Sequence, residues 1–202
     1  MLKESDNKGR LIILTGASGV GKDETMKKMM ELDSSLTRVV TYCADRGPRG
    51  GEVEGKDYYF ISEEKFKEMV KNGEFFEYNN TPGVIKGTGR GDVEKVREGK
   101  KVIWRIDPEK ASRVKNELVE NGFEDLVSVT KVVYLGTPTI PELWRRINIR
   151  ESNETKEKKL IRLKSDWKIW NENKNNYDIM IMNETDKLDK TVDRVLEFVS
   201  RR

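Results

Sequence analysis

The sequence predicts an α/β fold: a mostly parallel sheet flanked by helices, with a small lobe of short strands set into its middle. Three observations carry this. Short apolar runs and amphipathic helical patterns alternate at both ends of the chain, the order that builds parallel sheets through helical crossovers. A glycine-rich turn joins the first apolar run to the first helical pattern. Between about residues 42 and 90 the strands are short and closely spaced, which suits antiparallel pairing.

Residues 1–9 are polar and charged and read as a flexible tail; the remaining 10–202 read as one domain, a length one core can serve. Leu11, Ile12, Ile13 and Leu14 suit a strand buried on both faces. Past the glycine turn, Met26, Met29 and Met30 recur at helical spacing. Residues 38–43 read as a second strand, followed by a loop holding Gly47, Pro48, Gly50, Gly51 and Gly55. Residues 58–61 are strand-like; Ser62 then caps a helix that buries Phe66, Met69 and Val70 and that Gly73 ends. Residues 75–78 and 84–86 form two short strands around a turn at Thr81, Pro82 and Gly83. A short helix reaching Gly99, a strand over 102–106, a helix from about Glu109 toward Gly122 and a strand over 132–135 come next. Thr139 with Glu142 three residues on is a capping box. It opens two charged helical stretches, the second with Leu160, Leu163, Trp167 and Trp170 at helical spacing. That spacing assigns Trp167 and Trp170, like Trp144, to packing. Residues 179–182 form the last strand, and Leu188, Val192, Val195, Leu196 and Val199 line one face of the final helix.

Composition excludes several kinds of chemistry. The chain has no His, so it has no His-based triad and no His-ligated zinc. A single cysteine, Cys43, rules out an internal disulfide or a thiolate cluster and reads as a small buried residue. Thirty-nine Lys+Arg against 36 Asp+Glu leave a net charge of +3, too balanced for a dedicated nucleic-acid or membrane binder. The first apolar run is too short for a signal peptide or a membrane span. A soluble, cytoplasmic protein working through carboxylates, Lys, Arg, hydroxyls or a bound metal ion is expected, as a monomer or homodimer.

Gly16, Ala17, Ser18, Gly19, Val20, Gly21 and Lys22 match the first seven positions of the phosphate-loop pattern, between a predicted strand and a predicted helix. The glycines let backbone N–H groups turn toward an anion, the helix start adds partial positive charge, and Lys22 reaches the outer phosphates. The eighth position, normally a Ser or Thr on Mg²⁺, is Asp23. A carboxylate there is a candidate Mg²⁺ ligand and also suits the first turn of a helix. Further on, Arg46 and Arg49 flank a Gly-Pro turn and Tyr58 follows, a set able to clamp a second phosphate.

From here the chain resembles the guanylate kinase family. The segments that carry the resemblance are the phosphate loop, residues 44–52 (Ala-Asp-Arg-Gly-Pro-Arg-Gly-Gly-Glu), 55–60 (Gly-Lys-Asp-Tyr-Tyr-Phe), 73–77 (Gly-Glu-Phe-Phe-Glu), 86–88 (Lys-Gly-Thr) and 106–107 (Ile-Asp), in order over about residues 10–200. The resemblance implies a P-loop kinase fold with a small α/β GMP-binding insert over about 42–90 and a helical lid over about 139–165. It implies Mg²⁺-dependent phosphoryl transfer from ATP to GMP or dGMP, with small nucleotides as the partners. Arg46, Arg49 and Tyr58 would hold the acceptor phosphate, and Glu77, Thr88 and Asp107 would read the guanine edge. Arg146, Arg150 and Arg162 would belong to the lid and, with Lys22, neutralise charge on the moving phosphoryl group. Asn183 would lie near the adenine.

Several positions depart from the family's pattern. Tyr42 stands where a small Ser usually touches the base, and Lys86 where a phosphate-binding Tyr is usual. Tyr42 is therefore expected at the guanine and Lys86 at the acceptor phosphate. Ala44 and Asp45 replace a Thr pair, and Arg105 stands where a second acidic residue often helps position Mg²⁺. Because phosphate loops ending in Lys-Asp occur in related kinases, Asp23 keeps open a different acceptor such as ribose 1,5-bisphosphate. A catalytically inert, protein-binding relative is the other alternative, and retention of Lys22 and the lid arginines weighs against it.

Overall fold

A computed structural model describes residues 9–150 and 155–201, the Arg150 side chain excepted. Five parallel strands form the central sheet in the order β2-β7-β1-β8-β9. They are β1 (Arg10–Gly16), β2 (Leu36–Arg38), β7 (Lys101–Arg105), β8 (Thr130–Gly136) and β9 (Ile179–Met182). Alternating side chains of β1 enter opposite layers: Leu11 and Ile13 join a cluster with Val102, Trp104, Val114 and Phe123, while Ile12 and Leu14 join Met29, Ile103, Val192 and Val195. Apolar residues on both faces are what a sheet covered on both sides demands. The covering helices include α1 (Lys22–Leu32), α4 (Pro108–Glu120) and α7 (Leu188–Ser200).

A second sheet, in the order β4-β3-β6-β5, is built from β3 (Thr41–Cys43), β4 (Tyr58–Phe60), β5 (Phe75–Thr81) and β6 (Val84–Gly89). The helix α2 (Glu63–Lys71) covers one face through Phe66 and Met69, with Ser62 accepting from the Lys65 N–H as its cap. The short helix α3 (Arg90–Glu94) leads back to the central sheet. The helices α5 (Ile140–Arg150) and α6 (Lys156–Asn173) stand after β8. At the start of α5 the Glu142 N–H donates to the Thr139 hydroxyl, the expected capping contact.

Two expectations are corrected. Residues 38–43 are not one strand: the chain leaves the central sheet at Arg38, crosses through buried Val39 and Val40, and enters the second sheet at Thr41. The second sheet is mixed rather than antiparallel, because β3 pairs β4 in parallel. Trp167 is 55% exposed and so is not a core residue, whereas Trp170 stacks on Tyr177. The expected tail lies outside the described residues except for Gly9, which is buried and could not carry a side chain, since a Cβ there would sit 1.9 Å from the Val96 carbonyl oxygen.

Ile103 is fully buried at the centre of β7, flanked by β1 and β2. Ile103→Ala is expected to lower unfolding free energy by about 2–5 kcal/mol, the loss of transfer energy plus an unfilled cavity. Denaturant titration followed by circular dichroism checks this.

Candidate active site

The strand order reverses at β1, with β7 on one side and β8 on the other. In an open parallel sheet the crevice beyond the carboxyl ends of the strands at such a point is where ligands bind. The glycine loop sits there. Gly16 has φ 143°, and a Cβ on it would meet the Leu135 carbonyl oxygen at 2.2 Å. Gly21 has φ 91° and precedes α1 without a side-chain cap, so the first-turn N–H groups stay available to an anion. Lys22 Nζ folds back onto the loop, donating to the Gly16 and Ala17 carbonyls at 2.6 and 2.9 Å. The loop's affinity for negative charge is already expressed: the Ser18 N–H donates to Asp166 Oδ2 of α6 at 3.0 Å.

The two least expected residues of this region are each other's partners. Arg105, at the end of β7, places Nε 3.0 Å from Asp23 Oδ1. That Nε is shielded from solvent and its N–H has no acceptor in hydrogen-bond geometry, so the contact is one of charge. Arg38 shares the field: burial first, then Arg105, hold its guanidinium below the ordinary arginine value.

Across the crevice lies the second sheet, and the two together enclose a cleft of about 600 Å³. Its walls include Gly16, Ser18, Lys22, Asp23 and Asp107 on the central-sheet side, and Tyr58, Glu77, Lys86 and Thr88 on the second. Strand periodicity explains the set, because Glu77, Lys86 and Thr88 share a face with Thr41 and Tyr58. Thr88, 1% exposed, donates to Glu77 Oε1 at 2.8 Å. Glu77 Oε2 is ion-paired to Lys110 of α4. Asp107 caps α4, accepting from the Lys110 N–H at 3.0 Å.

The arginine loop stands at the rim. Arg46 lies 5.3 Å from the Tyr58 ring centroid and Lys86 Nζ 5.2 Å from the same ring, so two cations gather about Tyr58. The Arg46 guanidinium grips Glu52 with two bonds of 2.6 and 2.8 Å. That grip holds the Glu52 carboxyl at about 2. Arg49 is exposed, with its backbone N–H on Glu52. Tyr42 does not face the cleft. Its ring packs on Tyr59 and Phe75 beneath α2, and its neighbour Thr41 takes the cleft position. Cys43 is buried as expected, and burial together with its bond to Asp45 pushes its thiol up.

Asn183 and Arg146 line a separate cavity of about 390 Å³ on the far side of Gly19 and Gly21. Asn183 braces the loop, donating to the Val20 carbonyl at 2.8 Å while accepting from the Thr191 hydroxyl. Arg146 bonds Glu142 Oε1 at 2.8 Å and the Asn183 carbonyl at 2.9 Å. Arg145, Thr185 and Arg146 together hold the Glu142 carboxyl far below the usual range. Arg162 is half-buried one helical turn before Asp166. The Arg150 side chain lies outside the described residues.

Among the described residues no group of three or more acidic, His or Cys side chains is placed to cage a metal. Mg²⁺ does not require one, since it keeps water and binds through one or two carboxylates plus substrate phosphates. Asp23, a hard oxygen donor on the cleft wall beside Lys22, fits that partial role.

Residues 8–202 match the family model described as guanylate kinase. A guanylate kinase of Clostridium perfringens is 34% identical over 187 residues, covering 92% of this chain and 82% of the relative. One from Lactobacillus acidophilus is 38% identical over 145 residues, covering 71% of this chain and 67% of the relative. The crystal structure of guanylate kinase from Anaplasma phagocytophilum superposes with a TM-score of 0.65 at 23% identity, over 96% of this chain and 86% of that one.

Proposed function

The chain belongs to the guanylate kinase family, and on that premise we propose that it transfers the terminal phosphoryl group of ATP to GMP or dGMP in the cleft between its two sheets. The observation that carries this reading is the pairing of two cradles across one cleft: an anion-binding loop with Lys22, and a polar wall of Glu77, Thr88 and Asp107 flanked by Tyr58 and Lys86.

Residues 16–23 hold the donor's phosphates through backbone N–H groups and Lys22. The adenine lies beside Asn183, in the cavity that Arg146 also lines. Lys86 and Tyr58 take the acceptor phosphate, with Arg46 and Arg49 brought in from the rim. Glu77 and Asp107 accept from guanine N1–H and the exocyclic amine, and buried Thr88 fixes the Glu77 rotamer. Mg²⁺, when bound with the nucleotide, supplies neutralising charge to the phosphates, and Asp23 would hold it. Transfer needs no protein nucleophile, because catalysis of this class is largely positioning and charge stabilisation. The Asp166 carboxylate leaves the Ser18 N–H as phosphate enters. Residues 139–165 close as a lid over ATP, and Arg146, Arg150 and Arg162 add charge stabilisation. For Arg146 this means exchanging its bonds to Glu142 and the Asn183 carbonyl for phosphate oxygens. Among the described residues no helix is long and apolar enough to cross a membrane, and a cytoplasmic setting fits this chemistry.

The test is ADP release with ATP and Mg²⁺ over a panel of GMP, dGMP, AMP, CMP, UMP and ribose 1,5-bisphosphate. GMP is expected to be the best of the four ribonucleotides, exceeding AMP by at least about 1,000-fold in kcat/KM, the discrimination reached when a mismatched ligand leaves polar groups unpaired. Activity with the sugar bisphosphate alone would reassign the acceptor. Absence of ATP–Mg²⁺ binding at millimolar concentration by calorimetry would leave an inert binding module.

A further inference from the structure

Neither the phosphate loop nor the family resemblance accounts for Lys110. It is the third residue of α4, held at the helix start by the Asp107 cap. Side chains in a helix lean toward its N-terminus, and this one reaches back over the end of β7 and across to the second sheet. There its ammonium meets Glu77 Oε2, 33 residues away in sequence. Such a contact differs from the exposed i,i+4 pairs elsewhere on the surface, which contribute little. Both partners line the cleft, and the Glu77 side chain is only 19% exposed.

The hydrogen-bonding arithmetic of the pair is informative. A carboxylate offers about four lone-pair positions; Thr88 takes one on Oε1 and Lys110 one on Oε2, which leaves acceptors for a ligand. An ammonium has three donors and no acceptor, and Glu77 uses one. The pair therefore presents acceptors and donors side by side. Guanine complements this, with N1–H and the exocyclic amine as donors adjacent to O6 as acceptor. Adenine reverses it: its N6 amine would face the ammonium and its bare N1 the carboxylate. Both mismatches leave desolvated polar groups unpaired, the strongest basis for rejecting a ligand.

We propose that Lys110 is a specificity-determining residue whose ammonium donates to O6 of the acceptor guanine while Glu77 takes N1–H and the exocyclic amine. This rests on the guanine reading of the cleft given above. It makes the Lys110–Glu77 pair a two-sign reader of the base edge, in which the cation excludes adenine as firmly as the anion selects guanine. The ammonium also balances the carboxylate's charge before any base arrives.

The test compares GMP with 6-thio-GMP, which keeps N1–H and the amine but replaces O6 by a poor acceptor, in wild type, Lys110→Met and Lys110→Arg. Wild type is expected to favour GMP by about 10- to 100-fold in kcat/KM, the range of one hydrogen bond to a charged group. Lys110→Met is expected to lose about that factor with GMP, mostly through KM, and to treat the two acceptors alike. Lys110→Arg, which keeps a cationic donor, should recover part of the preference. Thermal melting of each variant confirms that folding is intact. Equal losses with both acceptors would mean that Lys110 only positions Glu77, and an unchanged KM for GMP would mean that it does neither; either result overturns the assignment while wild-type preference for GMP over AMP leaves the guanine reading standing. A wild-type protein that phosphorylates no guanine nucleotide would remove both together.

Discussion

Lys22→Ala is expected to lower kcat by about 1,000-fold or more, the scale set by removing one preorganised charge from a phosphoryl-transfer site; at room temperature this corresponds to about 4 kcal/mol of barrier. The ammonium is not idle before substrate binds. It donates to the Gly16 and Ala17 carbonyls and so fixes the curvature that turns the loop's N–H groups toward an anion. When phosphate arrives, the same ammonium exchanges carbonyl oxygens for phosphate oxygens at little cost in reorganisation. The charge it meets grows as the bond to the leaving group lengthens, so the loss should appear in kcat more than in KM. Single-turnover assays with saturating ATP–Mg²⁺ would measure it. A variant within tenfold of wild type would show that the loop binds phosphate without Lys22 and that the lid arginines carry the charge.

The phosphate-loop geometry was legible in sequence because it is local. Seven consecutive residues supply glycines for the turn, a helix start and a cation, and the flanking strand and helix follow from apolar periodicity. The clustering of Glu77, Thr88 and Asp107 in one cleft was legible only through family resemblance, since they are ordinary residues until two sheets bring them together. Periodicity could not show that residues 38–43 change sheets midway. Val39 and Val40 are buried like strand residues, and sheet membership depends on partners far away in the chain. The same blindness misplaced Tyr42: its β-strand position is right, but alternation turns it toward α2 and gives the cleft to Thr41. Asp166 and Lys110 carried no sequence signal, because their roles arise from partners 148 and 33 residues distant.

The pairing of Asp23 with Arg105 follows similar logic. Relative to the family's pattern, a hydroxyl on the first helix has become an anion and an acidic residue on β7 has become a cation. Taken singly, either change disturbs the charge beside the donor phosphates. Paired at 3.0 Å, Asp23 and Arg105 neutralise each other, and the one carboxylate of the two positions stands at the helix start. The carboxylate lies within the cleft, beside Lys22.

Glu77→Gln should be the most damaging change on the acceptor side, lowering kcat/KM for GMP by about 1,000-fold. The substitution is nearly isosteric, so Phe75 and the rest of the α2-facing side need not move, and the Thr88 hydroxyl can still donate to the amide oxygen. What changes is the donor and acceptor pattern. Guanine brings two donors to this position, N1–H and the exocyclic amine, and the carboxylate meets both with acceptors. An amide meets one of them with its own NH₂ group, so a hydrogen bond becomes a donor–donor clash, and the Lys110 ammonium loses its counter-charge in the same step. Base recognition is felt alike in the ground and transition states, so KM should rise far more than kcat falls, the opposite of the pattern expected for Lys22→Ala. Adenine, with an acceptor at N1, should lose much less, so the ratio of GMP to AMP activity should collapse even though neither is used well. Steady-state kinetics with both nucleotides decide the matter. If Glu77→Gln keeps the wild-type ratio, the polar wall around Glu77 does not read the base.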